Sequence, residues 1–177
     1  MATKSSSDRY GSVAIAIHWS SATAVILAWL AGFTVANALP VGQGSGLLLA
    51  HITLGLIVLA LTLLRIVWWL VADRHPQAPA GQPRWQVRLA QLVHVCLYIL
   101  LVLMASSGVV TLILSGAVPT LLAGGLVPDF SELIPRVAHG IMSRILLVLL
   151  AGHVGAALWH QVVRRDHLLA RMGLGRA

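Results

Sequence analysis

Imidazole is the commonest metal-ligating side chain and the one that carries protons near neutral pH. This sequence has eight in 177 residues. Six fall in or at the edges of long apolar stretches: His18, His51, His94, His139, His153 and His160. Polar groups at such depth are costly and usually functional. One of them alone is equally explained by a hydrogen bond to a neighbouring helix, but six argue for a site. On a helix, His139 and His153 are within about 40° of four full turns apart, so both side chains face one way, about 21 Å apart along the axis. His51 and Arg65 share the same interval. Such spacing suits two stacked sites, one towards each end of a bundle.

The elements that must position these residues are apolar throughout. Hydrophobic residues make up 58% of the chain and charged residues 10%, against about 25% charged in ordinary globular proteins. That excludes disorder, a coiled coil and a soluble enzyme. The length suits one domain, 1–177. Four apolar runs, at about 13–35, 47–72, 89–114 and 137–163, exceed the roughly 20 helical residues that cross a bilayer. Without alternation they read as helices. The expected fold is an all-α membrane protein, a four-transmembrane-helix bundle. Lys4 and Arg9 precede the first run and Ala36-Asn37-Ala38 resembles a signal cleavage site. The run is nevertheless longer than a signal core of about 7–15 residues, so the span is expected to stay.

Depth decides which histidines can meet. His18 and His153 each lie about five turns in, counted from Ala36 and Arg136 respectively, so their depths agree to about 2 Å. His94 and His160 lie deeper, roughly six to seven turns from Gly116 and Arg136 respectively. His51 and His139 remain, near the opposite surface. Three level pairs are expected: His51 with His139, His18 with His153, and His94 with His160.

Two histidines from different helices are too few for zinc or copper, which want three or four ligands. The lone Cys96 offers no second thiol and no CxxCH attachment. A haem iron needs only two axial ligands, an apolar slot lined by small residues, and a cation for its propionates. Gly55, Gly140, Gly152 and Gly155 lie beside the candidate ligands, although glycines also serve close helix packing. Arg65 has no acidic partner in the spans and suits a propionate; its alternative is a snorkel to the surface. Trp68, Trp69 and Trp159 read as interfacial anchors. Arg144 points well away from the His139 face, and an interfacial role and a haem contact both remain open.

Direction follows from Lys and Arg. Lys4, Arg9, Arg74, Arg84, Arg88, Arg164, Arg165, Arg171 and Arg176 share one side. Across from them, the first loop has no cation and the third has Arg136 against Asp129 and Glu132. Both termini are expected in the cytoplasm, and the net charge of +7 then reflects retained loops rather than nucleic-acid binding. Residues 73–88 read as an irregular connection, and 116–135 as a long loop holding a short helix near Asp129.

The chain resembles the bacterial di-haem cytochrome b561 family, including its small four-helix superoxide:quinone oxidoreductase type. The matching residues are Ile17-His18-Trp19, His51-x3-Gly55 with Arg65, Leu92-Val93-His94 with Tyr98, and His139, His153 and His160. The resemblance implies two b haems in a bacterial inner membrane. His18 and His153 would ligate the inner one and His51 and His139 the outer one, with Arg65 and Gly55 beside them. It places His94 and His160 near a quinone, as electron acceptor. It implies electron transfer from an outer-side donor, superoxide or a periplasmic protein, to that quinone. A second reading is a haem-b anchor subunit for a partner dehydrogenase or hydrogenase. A third, of another class, is a non-redox transporter or metal-binding membrane protein. The apolar stretch 118–127 provides little field to gather an anion such as superoxide.

Overall fold

The computed structural model describes residues 2–79 and 81–175; Arg176, counted above among the cations, lies outside them. Four long helices are each apolar and long enough to cross a membrane, and no strand occurs among the described residues. They are α1 (Ser12–Asn37), α2 (Ser45–Val67), α3 (Arg84–Ser115) and α5 (Ile134–Trp159). Two of them run on as π-helical turns, α2 through Trp68–Ala72 and α5 through His160–Arg164. A short α4 spans Val118–Leu122. It corrects the expectation of a helix near Asp129, which lies in irregular chain. Pro119 at the start of α4 supplies a pre-set φ, and Leu121 is fully buried against the bundle. Apolar burial and a proline start therefore outweigh the acidic start at Asp129.

α1 packs chiefly on α2, and α3 on α5, with α2 and α3 joining the two halves. Each helix spaces two site residues about four turns apart and places an apolar residue midway: Val25 between His18 and Gly32, Val58 between His51 and Arg65, Leu101 between His94 and Gly108, and Leu146 between His139 and His153. Val25, Val58 and Leu146 belong to the buried core cluster and Leu101 packs against it. The core is thus a layer across the middle of the bundle, with one group of histidines on each side. Outward-facing Ile26, Leu30, Leu63, Leu103 and Val148 are exposed, as lipid-facing residues must be.

The two ends differ. The terminal end gathers the described segments before α1 and after α5, and the loop end holds the α1–α2 and α3–α5 connections. At the terminal end Asp73 accepts bonds from the Ser5 amide (3.1 Å), the Ser5 hydroxyl (2.8 Å) and the Trp68 indole (3.2 Å). Arg171 donates to the carbonyls of Asp8 at 2.7 Å and Gln77 at 2.6 Å, and the Trp19 indole donates to the Met172 carbonyl at 3.0 Å. At the loop end one strut, from the Val127 amide to the Gly42 carbonyl at 2.8 Å, ties the connections together.

Candidate functional site

At the loop end the His51 ring from α2 stands 5.9 Å, centroid to centroid, from the His139 ring from α5. Their outer nitrogens are anchored alike. His51 Nδ1 lies 2.7 Å from the Ala28 carbonyl of α1, and His139 Nδ1 lies 2.9 Å from the Met104 carbonyl of α3. A carbonyl only accepts, so Nδ1 carries the proton in both rings and Nε2 keeps its lone pair. The Ser107 hydroxyl, which donates to Met104 at 2.7 Å, is a second acceptor for His139 Nδ1 at 3.1 Å.

The glycines that admit these rings sit on the facing helices. Gly32 follows Ala28 by one turn and Gly108 follows Met104 by one turn. At that spacing the later side chain stands over the earlier carbonyl. A Cβ on Gly32 would fall 2.6 Å from His51 Nδ1 and Cε1, and one on Gly108 would fall 3.4 Å from His139 Cε1. Space was expected instead on the ligands' own helices, and these two glycines were missed. The available signal was a glycine about four turns beyond His18 and another at the same interval beyond His94, each inside a helix. The glycines on the ligands' own helices meet no facing ring. Gly55, Gly152 and Gly155 border open space, and Gly140 lies beside the Arg136 guanidinium.

Towards the terminal end the His18 and His153 rings are 6.4 Å apart. His18 Nδ1 meets Arg65 Nη1 at 2.9 Å, and the Arg65 guanidinium also stands 5.7 Å from the Tyr98 ring. The third level pair is arranged differently from expectation. His94 turns to His153, centroids 5.2 Å apart, and His160 Nδ1 pairs with Asp166. The π-turn that begins at His160 and the irregular chain after it carry Asp166 back beneath the ring, which counting residues along a straight helix does not foresee. Arg144 is exposed on the outside of α5, off the His139 face. Trp68, expected as an anchor, is tied to Asp73.

The residues fit a haem. Two metal–imidazole bonds of about 2 Å, with the half-width of each ring, set bis-imidazole centroids about 6.3 Å apart. The pairs at 5.9 and 6.4 Å match this and the one at 5.2 Å is short of it. Nδ1 anchored on a carbonyl is the outer contact a ligating histidine needs. Arg65 Nε is buried without a partner among the described residues.

The fold and these contacts define a membrane four-helix bundle with two stacked imidazole pairs. Residues 9–175 match the family model of prokaryotic cytochrome b561, and the chain belongs to that family. It is also 27% identical over 175 residues, 93% of this chain and 97% of the relative, to cytochrome b561 homolog 1 of Escherichia coli (strain K12). Membership makes it a haem-b membrane protein of transmembrane electron transfer.

Proposed function

We propose that the chain carries electrons from a donor outside the bacterial inner membrane to membrane quinone, through two b haems per chain. His51 and His139 hold the haem at the loop end, and His18 and His153 the one nearer the terminal end. Both termini lie in the cytoplasm, supported by eight described cations at the terminal end. The observation that carries the reading is the pair of ring–ring separations, 5.9 and 6.4 Å, one on each side of the buried layer.

Haem supplies one-electron chemistry; the residues supply ligation, orientation and proton handling. The Ala28 and Met104 carbonyls hold His51 and His139 with Nε2 turned inward. His51 with His139, and His18 with His153, would each supply two imidazoles to a haem, which suits electron transfer rather than oxygen binding. At the terminal end Asp166 orients His160, leaving its other nitrogen to give or take the proton that accompanies quinone reduction. His94, beside His153, is the second candidate there.

The nature of the donor is set by the loop end. Its connections carry Asp129 and Glu132, with Arg136 in the first turn of α5, a weak field for collecting superoxide. That favours, as a second reading, a haem-b anchor that receives electrons from a partner subunit. The test is an optical titration of the purified protein, which gives two haems per chain, followed by rapid mixing with superoxide and with added quinone. Reduction by superoxide supports the oxidoreductase. Two haems inert to superoxide but oxidised by quinone support the anchor. Absence of haem overturns both.

A further inference from the structure

Arg65 holds the His18 nitrogen that would carry the ring proton if His18 took its proposed role. A guanidinium only donates, so at 2.9 Å from Arg65 Nη1 His18 Nδ1 must be the acceptor, with the ring proton on Nε2. An imidazole ligating through Nε2 needs its lone pair there and its proton on Nδ1. Such a ring offers Arg65 nothing. Ligation by His18 therefore displaces Arg65, and a half-buried cation at this depth needs another partner.

This chain's own carboxylates do not provide one. Its five acidic residues all lie outside the spans. Asp73 is engaged by Ser5, Trp68 and the Arg74 amide, and Asp166 by His160. One turn beyond Arg65, the Trp69 indole Nε1 is likewise buried without a partner, as is Arg65 Nε. Buried indole N–H groups are normally bonded. Trp68 and Trp19 follow that rule, donating to Asp73 and to the Met172 carbonyl. Residues one turn apart on a helix are neighbours, about 6 Å between Cβ atoms. His75 ties the two into one locality: it stacks on Trp69 with centroids 3.8 Å apart, and burial, then the Arg65 charge, holds its pKa below the ordinary value.

We infer that Arg65 and Trp69 form a two-donor clamp for a carboxylate of the haem bound nearer the terminal end, and that Arg65 leaves His18 to close it. The inference rests on the proposed haem pairing. Trp69 is thereby a cofactor-binding residue rather than an interfacial anchor.

The test uses the full-length holoprotein. Loss of haem to excess apomyoglobin should give two phases of equal amplitude, and the propionate bending bands in the resonance Raman spectrum report hydrogen bonding directly. Trp69→Phe should speed one phase about tenfold, the scale of one hydrogen bond to a charged group, and shift one propionate band. Trp69→Gln, which keeps an N–H, should restore much of both. Trp68→Phe, whose indole serves Asp73, should shift no propionate band. Unchanged bands and loss rates in Trp69→Phe overturn the clamp while the haem pairing stands. Equal acceleration of both phases also overturns it, because it signals general loosening. A wild-type protein holding one haem overturns the clamp and the pairing together.

Discussion

The loop-end and terminal-end histidine pairs sit on opposite sides of the buried layer, yet their second nitrogens are treated differently. His51 and His139 each donate Nδ1–H to a backbone carbonyl. His18 Nδ1 instead accepts from a guanidinium. The first arrangement already presents the lone pair that iron needs; the second must rearrange. The difference also has an electrostatic consequence. A carbonyl acceptor makes imidazole a stronger donor and favours ferric iron, whereas a nearby cation favours the less positive ferrous state. The terminal-end haem should have the higher potential, so electrons entering at the loop end run downhill.

The comparison breaks most completely when ligands are removed. His139→Ala should abolish the loop-end haem and spare the other, and His153→Ala should do the reverse. Haem content per chain and redox titration check this. Identical spectra from the two variants would mean that the pairs do not form separate sites.

The facing glycines give the next largest effect. A Cβ at Gly32 collides with His51, whereas at Gly108 it only reaches van der Waals contact with His139. Gly32→Ala should strongly reduce loop-end haem occupancy, because α1 or the His51 ring must shift by several tenths of an ångström. Gly108→Ala should keep the haem without loss of thermal stability, because the added methyl makes ordinary contact and Ala is favoured over Gly inside a helix. Equal tolerance of the two substitutions would show that the α1–α2 contact yields more easily than its geometry implies.

Arg65→Leu removes the cation from one site only. The terminal-end potential should fall by about 50–100 mV, the scale of one charge within about 10 Å at intermediate dielectric. The loop-end potential should barely move. A shift shared by both haems would contradict the local asymmetry.

These effects were unequally legible in the sequence. Four helices follow from apolar length alone, because a bilayer allows few alternatives. The repeated interval of about four turns implied the stacking, and depth counting matched His51 with His139 and His18 with His153, whose rings the structure brings near one another. Depth counting failed at His160, where the helix changes to a π-turn and the chain returns through Asp166. It also missed Ala28, Met104, Ser107, Gly32 and Gly108. Backbone acceptors carry no residue-type signature, and the glycines that uncover them belong to partner helices whose rotation no single helix specifies. The burial of the Trp69 N–H is likewise illegible in the sequence, because an indole at a helix end looks the same whether its N–H faces lipid headgroups or the bundle interior.

The smallest predicted effect lies within the loop-end pair. His51 has one acceptor, the Ala28 carbonyl, whereas His139 has two, the Met104 carbonyl and the Ser107 hydroxyl. Because Ser107 gives its own proton to Met104, its oxygen presents a lone pair to His139 Nδ1. Ser107→Ala removes that acceptor and leaves the carbonyl in place, so the ring keeps its tautomer and orientation. The imidazole becomes slightly less basic, ferric iron is less favoured, and the loop-end potential should rise. A net hydrogen bond of about 0.5 kcal/mol corresponds to roughly 20 mV for one electron. Haem content should not change, and the terminal-end potential serves as the control within the same titration. A fall in the loop-end potential would reverse the assigned direction of the Ser107–His139 bond. Loss of haem would show that the hydroxyl, rather than the carbonyl uncovered by Gly108, holds the ring.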